Sequence, residues 1–391
     1  MVRIEDSVIT AQVLQEKLGN DQQVEICPRA KLTPSAHDFL RERSIDVFRK
    51  EVSHSGSEDS KNSLAIKSSR SGNKRDFSGV FCPNIVIFDE YDKINYREME
   101  RYINWLIDAG IHGLYPNGST GEFVRLSWEE RQEVVRLITE VNAGRVPILA
   151  GASEANLRDV MRMADFYAKI GVDAISLVPP FYYKISDESL FQYFAEVAEQ
   201  SPLDILLYNI PQFTQELPLE LMERLLPYER IFGTKDSSRD LPRLINTMHR
   251  LRAQRPDYVV LVGCEEILFP SILMGASGGT IATSGIVPEV IVDLYEKAFE
   301  GDIENARILQ YRILDLINMM LLGVNFPEGF KTGVAVRGFD VGPPRTSSSD
   351  EEREYLFKIE SQIGCILSDM GYSVRGARAC PITNMPPIVG R

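Results

Sequence analysis

The chain has few of the residues that build metal centres and disulfide frameworks. Its five cysteines show no CxxC spacing, and its four histidines form no HExxH-type cluster. Scattered cysteines argue against a zinc site and are typical of free thiols in a reducing compartment. We therefore predict that the chain holds no metal ion.

The chain also lacks long apolar runs and an excess of basic residues. No apolar run reaches the ~18–20 residues needed to span a bilayer, and no charged segment precedes an apolar one at the N-terminus. The formal net charge is -13, which argues against nucleic acids and anionic membranes as partners. We expect a cytoplasmic protein that binds neither nucleic acid nor membrane. The net charge does not argue against a small anionic substrate.

From Phe77 onward the sequence alternates between short apolar runs and amphipathic helical stretches. One such stretch is Trp128–Val141, which Ser127 should cap with Glu130 in a capping box. The predicted strands are Val80–Phe88, Gly113–Pro116, Pro147–Ala150, Ala174–Val178, Asp204–Asn209, Ile231–Lys235, Val259–Gly263 and Gly279–Thr283. Eight such units predict an α/β fold, a (β/α)8 TIM barrel. A Rossmann-type sheet is disfavoured because no strand is followed by GxGxxG.

The remaining segments differ in composition from the barrel. Residues 77–300 should form the barrel, residues 301–374 C-terminal helices and residues 375–391 a loose tail. Residues 51–76 are rich in Ser, Lys, Asp and Gly, which predicts a flexible linker. Residues 1–50 should then be a small N-terminal extension.

The N-terminal extension should contain two short helices, Val8–Leu14 and Thr33–Arg41, with Thr33 as N-cap of the second and a strand at Val24–Ile26 between them. The segment Lys31–Ala36 resembles N-terminal segments of some bacterial microcompartment-associated enzymes. This resemblance implies targeting or protein-partner binding by residues 1–50. The alternative is that residues 1–50 are an extension with no such role.

Polar residues follow several predicted strands, and in a parallel barrel all of these positions meet at one face. A buried lysine such as Lys235 at the end of a strand has the setting for Schiff-base chemistry, because desolvation favours the neutral amine. The Gly-flanked pair Ser119 and Thr120 suits a carboxylate or a phosphate. Plainer alternatives stay open, since Lys235 could extend to water and Tyr208 could be a core residue.

Three motifs carry a resemblance to a known family: Gly118–Glu122, Tyr208–Pro211 and Gly233–Ser238. In sequence and order they resemble the dihydrodipicolinate synthase and N-acetylneuraminate lyase superfamily of class I aldolases, over residues 77 to 340. The resemblance implies a barrel with C-terminal helices, a homotetramer, pyruvate bound as an imine and no cofactor. The usual Thr-Pro-Phe after the first strand is replaced here by Val86–Phe88.

The resemblance also implies roles for individual residues. Lys235 would form the imine and Tyr208 would shuttle a proton, while Ser119 and Thr120 would bind the substrate carboxylate. Tyr182 resembles a tyrosine that completes a proton relay, in many relatives from a neighbouring subunit. Further candidates for substrate binding are Glu265, Glu266 and Thr283.

The choice of substrate depends on Phe213, two residues after the proline of the Tyr208–Pro211 motif. The synthase branch usually has an arginine there, and an apolar ring cannot replace a bidentate guanidinium. We therefore expect reversible aldol cleavage of a 2-keto-3-deoxy sugar acid or sialate-like substrate into pyruvate and an aldehyde. Dihydrodipicolinate-type condensation, keto-deoxy-sugar-acid dehydration and non-catalytic keto-acid binding are the alternatives.

Overall fold

A computed structural model of the chain describes residues 2–4, 8–9, 11–19, 21–26, 31–32, 34–49, 76–321 and 325–375. The chain divides into two compact units, Met1–Ala65 and Ile66–Arg391. Apart from Asp76 and Arg375, the predicted linker and tail lie outside the described residues. Within the described ranges, no helix has the length and apolar character needed to cross a membrane.

The N-terminal unit combines short parallel strands with two helices. Its elements are β1 (Val2–Ile4), β2 (Val8–Ile9), α1 (Ala11–Leu18), β3 (Gln23–Ile26), β4 (Lys31–Leu32), α2 (Pro34–Glu42) and β5 (Asp46–Arg49). Strand β3 pairs in parallel with β1 and β5, and β2 pairs in parallel with β4. The unit has its own small apolar core, formed by Leu14, Leu18, Val24, Ile26, Ala36 and Leu40.

The first helix begins later than the sequence predicts. Val8 and Ile9 pair as β2 with Lys31 and Leu32, because β-branched side chains favour extended backbone. The helix therefore begins at Ala11. The predicted N-cap Thr33 lies outside the described residues.

The second unit is a barrel of parallel strands, which confirms the predicted (β/α)8 fold. Its strands are β6 (Gly79–Cys82), β7 (Gly113–Leu114), β8 (Leu149–Gly151), β9 (Ala174–Leu177), β10 (Asp204–Asn209), β11 (Ile231–Asp236), β12 (Val259–Val262) and β13 (Gly278–Thr280). They pair in parallel in the order β7-β6-β13-β12-β11-β10-β9-β8. A parallel bridge between Leu114 and Ile148 joins the two outer strands of this order.

Two strand boundaries differ from the predictions for clear reasons. Strand β6 ends at Cys82 and not at Phe88, because Pro83 has no N–H to donate to a ladder. Strand β13 ends at Thr280, and Ala282–Gly285 form a 3-10 helix. Thr283 therefore lies beyond the strand in which it was predicted. The first and last residues of the other six strands lie within two residues of the predicted positions.

Helices surround the strands and continue after the barrel. They are α3 (Tyr96–Asp108), α4 (Trp128–Asn142), α5 (Leu157–Ile170), α6 (Asp187–Gln200), α7 (Leu219–Leu225), α8 (Leu241–Gln254), α9 (Leu268–Leu273), α10 (Pro288–Glu300), α11 (Ile303–Leu321), α12 (Glu328–Val336) and α13 (Asp350–Asp369). Ser127 and Glu130 form the predicted capping box at the start of α4. Buried side chains of α11 to α13 join the same apolar core as the helices of the barrel.

A separate apolar cluster fills the interior of the barrel. It comprises Phe77, Phe81, Tyr115, Leu149, Ala174, Leu206, Phe232 and Leu261. The interior is therefore a packed core and not a pore. Phe77 belongs to this cluster through its ring contact with Phe232, at 4.7 Å between centroids.

We predict that removing residues 1–75 leaves the stability of the barrel nearly unchanged, because the two units have separate cores. Adding Phe77→Ala to this truncation should lower the free energy of unfolding by about 3–5 kcal/mol, the usual cost of removing a buried phenyl ring. Urea unfolding followed by tryptophan fluorescence measures both effects, since Trp105 and Trp128 both belong to barrel helices. A large loss of stability in the simple truncation would contradict the separation of the two units.

Candidate active site

A β-bulge at the start of β11 positions Lys235. Ile205 pairs with Ile231, but Leu206 pairs with Gly233, so β11 carries one extra residue at this point. Beyond the bulge, Lys235 stands opposite Tyr208. Because alternate residues of a strand share a face, Tyr208 and Lys235 point to the barrel interior, as Leu206 does.

Lys235 is buried between aromatic rings. Only 4% of the residue is exposed, and Nζ lies 4.0 Å from the centroid of the Tyr208 ring and 4.6 Å from that of Tyr115. Within the described part of the chain, the side chain makes no hydrogen bond and no ion pair. The amine is therefore held in place by ring contacts and stays available to a ligand.

A second buried lysine has the opposite environment. Lys331 of α12 forms an ion pair with Glu122, whose other oxygen accepts a hydrogen bond from Arg125 at 3.0 Å. Arg125 also lies 3.5 Å from Glu328, whose pKa is raised by burial. This cluster of two cations and two carboxylates ties the turn that ends in Glu122 to α12. It gives Lys331 a structural role.

A cavity of about 120 Å³ opens at the carboxyl ends of the barrel strands. Five of the predicted site residues line it together: Ser119, Thr120, Tyr208, Lys235 and Glu265. Strands β7, β10, β11 and β12 or the turns after them supply these residues. The arrangement brings an amine, a phenol, two hydroxyls and a carboxyl group around one small space.

The turn that carries Ser119 and Thr120 is fixed by its neighbours. Asn117 and Glu122 both have positive φ angles, 53° and 46°. The Asn117 side chain donates hydrogen bonds to the carbonyl of Arg131 at 2.9 Å and to the hydroxyl of Tyr167 at 2.8 Å. Neither hydroxyl of the Ser119–Thr120 pair is bonded to another described residue. Both are therefore available to a ligand.

Three predicted site residues do not line this cavity. Tyr182 is 88% exposed, has a φ of 78° and contacts the ring of Tyr183. Glu266 instead accepts a hydrogen bond from Arg239 at 3.0 Å. Thr283 is fully buried, and its backbone N–H donates to Glu265 at 2.8 Å. Because β13 ends early, Thr280 lines the cavity in place of Thr283.

Burial controls the ionisation of two residues after β12. It raises the pKa of Glu265 above its ordinary value of 4.5, although the hydrogen bond from Thr283 acts in the opposite direction. Burial also raises the pKa of the Cys264 thiol to about 12. Burial therefore disfavours the charged form of both groups.

The cavity also contains residues that the sequence reasoning missed. Ser237 lies 3.4 Å from the hydroxyl of Tyr208, and Arg239 follows in the same loop. The proximity of Ser237 to Lys235 in the sequence could have indicated Ser237. Phe326 and Phe330 reach the cavity from the region of α12, and no local signal distinguishes them from ordinary core residues.

Gly263 makes room for the reactive amine. A Cβ atom at this position would lie 2.0 Å from Oγ of Ser237 and 2.9 Å from Cε of Lys235. The close approach of these side chains to the end of β12 therefore requires glycine.

The described ranges contain no group of three or more His, Cys, Asp or Glu residues suited to a metal ion. Cys82 and Cys264 are free and buried. Cys365 is disulfide-bonded, so the prediction of free thiols is wrong at that position.

Comparison with known proteins gives consistent results. The model of the dihydrodipicolinate synthetase family matches residues 76–363. A DapA-like lyase of Thermofilum pendens is 30% identical over 301 residues, which cover 76% of this chain and 99% of that protein. A 4-hydroxy-tetrahydrodipicolinate synthase of Methanopyrus kandleri is 31% identical over 287 residues, 71% of this chain and 93% of that protein.

A solved structure shows the same fold. It is YagE, a prophage protein of the dihydrodipicolinic acid synthase family from E. coli K12, in complex with pyruvate. It superimposes with a TM-score of 0.70 at 29% identity and covers 75% of this chain and 99% of that chain.

We predict that Gly263→Ala displaces Lys235 and lowers the free energy of unfolding by about 1–3 kcal/mol, the usual cost of overpacking. Carbamylation of Lys235 by cyanate, measured by peptide mass spectrometry relative to the exposed Lys184, should change in rate. Gly364→Ala is the matched control, because its added methyl group would meet only Val336, at 3.9 Å. Equal stability and equal labelling in Gly263→Ala would show that glycine is not needed there.

Proposed function

Because this chain belongs to the dihydrodipicolinate synthetase family, whose members include lyases, we propose that it is a carbon–carbon lyase that binds a 2-keto acid as an imine on Lys235. The observation that carries the proposal is the contrast between two buried lysines. Lys331 is paired with Glu122, whereas Lys235 faces the cavity and has no carboxylate partner among the described residues. The relative solved in complex with pyruvate supports this choice of ligand.

The first step is formation of the imine. The neutral amine of Lys235 adds to the C2 carbonyl of the substrate and water leaves, which gives a protonated imine. The Ser119–Thr120 turn binds the substrate carboxylate through its hydroxyl and backbone N–H groups. The imine is then an electron sink next to the bond to be broken, so the reaction requires neither a metal ion nor another cofactor.

The second step is cleavage of the C3–C4 bond. Tyr208 accepts the proton of the C4 hydroxyl while its own phenol proton passes through Ser237 to solvent. The C3–C4 electron pair moves into the imine system, and an aldehyde leaves. Protonation of the resulting enamine and hydrolysis then release pyruvate and restore Lys235. The hydroxyl of Ser237, 3.4 Å from that of Tyr208, supports a relay of protons at this position.

Tyr182 is proposed to act in the active site of a second subunit. Its ring is exposed on the loop between β9 and α6 and does not reach the cavity of its own chain. An exposed aromatic ring held at positive φ suits insertion into a partner. We place Tyr182 in the proton relay of a neighbouring copy, within a homotetramer.

For the substrate, we propose a 2-keto-3-deoxy sugar acid, with pyruvate and an aldehyde as products. Condensation of pyruvate with an aldehyde is the second candidate. A 4-hydroxy-tetrahydrodipicolinate synthase is about as similar in sequence to this chain as the DapA-like lyase is. Both reactions use the same imine and differ in the aldehyde and the direction. The separate core of the N-terminal unit supports a role in targeting or partner binding, apart from this chemistry.

Reduction with borohydride in the presence of pyruvate tests the proposal. We expect one reduced pyruvate adduct, located on Lys235 by peptide mass spectrometry, because borohydride traps an imine as a stable amine. Lys235→Arg should abolish the adduct, and the peptide with the equally buried Lys331 should carry none. An adduct on another lysine, or none in the wild type, would contradict the proposed function.

A further inference from the structure

Arg239 lies in the wall of the proposed active site, in the loop between β11 and α8. None of the three family-like motifs includes it, and no role in the proposed imine chemistry requires a guanidinium. A cation at this point instead indicates which chemical group the substrate carries beyond the part that forms the imine.

The loop around Arg239 is held by a compact network of hydrogen bonds. Asp236 accepts hydrogen bonds from the backbone N–H of Ser238 at 2.8 Å and from its hydroxyl at 2.5 Å. The same hydroxyl accepts a bond from the backbone N–H of Asp240 at 3.2 Å. Asp240 in turn caps α8. Both neighbours of Arg239 are therefore fixed.

Within this network, Arg239 adopts a φ of 63°. The left-handed region is unfavourable for a residue with a Cβ atom. Such backbone conformations persist where the surroundings impose them and concentrate at binding sites. The conformation therefore sets the direction of the arginine side chain.

Glu266 supports the guanidinium from one side. Its carboxylate accepts a hydrogen bond from Nε of Arg239 at 3.0 Å. Within the described residues, the two terminal nitrogens of Arg239 have no hydrogen-bond partner, and nearly half of the side chain is exposed. The terminal edge of a guanidinium with two free N–H groups matches the two oxygens of a carboxylate.

Burial disfavours negative charge on the other acidic groups around Arg239. Glu265 and Cys264 are its other acidic neighbours, and burial raises the pKa of both. Within the residues that the structure describes, Glu266 alone forms an ion pair with the guanidinium. A carboxylate monoanion is therefore easier to accommodate here than a phosphate dianion, which would need further cations or N–H groups.

We propose that Arg239 determines substrate specificity by binding a carboxylate at the far end of the aldehyde half of the substrate. This inference rests on the proposed function of Lys235 and narrows its substrate to an acid with carboxylates at both ends. It also changes what Phe213 implies about the substrate. The arginine absent from that position is supplied by the neighbouring loop, so an apolar residue at 213 does not exclude an acidic aldehyde.

Three aldehydes test the proposal in condensation with pyruvate. Tartronate semialdehyde and glyceraldehyde have the same carbon chain and differ in a terminal carboxylate or hydroxymethyl group, and glyceraldehyde 3-phosphate carries a phosphate. We expect the wild type to prefer tartronate semialdehyde in kcat/KM. Arg239→Gln should reduce this preference by about tenfold to a hundredfold, mainly through KM, because a charge-assisted hydrogen bond is lost. The preference of Arg239→Lys for tartronate semialdehyde should lie between those of the wild type and Arg239→Gln.

Arg230→Gln is the matched control. Arg230 is similarly exposed and lies 3.7 Å from the carboxylate of Asp204, but it precedes β11 and so lies at the opposite end of the barrel. It should leave the preference unchanged, and thermal unfolding of each variant checks that the fold is retained.

The outcomes separate this inference from the proposed function. If borohydride traps pyruvate on Lys235 of the wild type but Arg239→Gln keeps the wild-type preference, the inference is wrong and the proposed function stands. A wild-type preference for glyceraldehyde or for its phosphate would also overturn it. Failure of the wild type to form the pyruvate adduct would overturn both.

Discussion

The site depends on one buried amine that has no acidic partner in the described parts of the chain. Lys235 is held between the rings of Tyr208 and Tyr115, and a carboxylate at hydrogen-bond distance would convert it into an inert ion pair like that of Lys331 and Glu122. A buried lysine without a partner is destabilising. The fold must therefore impose this arrangement through features that are stable for other reasons.

Several such features surround Lys235. The bulge in β11 sets its register against Tyr208, and Gly263 leaves space for its side chain. The packed interior below it provides the rigid base on which both strands rest. The ion cluster around Lys331 fastens the Ser119–Thr120 turn to α12, and Arg125 also binds the carbonyl of Phe326 at 2.9 Å. One cluster thus positions both the proposed anion-binding turn and the aromatic wall of the cavity.

Much of this could be predicted from the sequence because it is encoded locally. Alternating strand and helix patterns identified the barrel, and residues at strand ends such as Tyr208, Lys235 and Glu265 identified the face where the cavity opens. What could not be predicted depends on contacts between distant segments. Phe330 looks like any core residue until α12 is placed over the cavity, and Thr283 could be distinguished from Thr280 only once the end of β13 was known. Arg239 was missed because its direction depends on a positive φ that nothing in its side chain favours.

The central claim is that Lys235 reacts covalently with a 2-keto acid whose carboxylate lies on the Ser119–Thr120 turn. A crystal structure of the protein soaked with pyruvate tests both parts at once. We expect continuous electron density from Nζ of Lys235 to C2 of pyruvate, with the carboxylate hydrogen-bonded to the turn. Pyruvate bound without a covalent link, or bound away from this turn, would contradict the account.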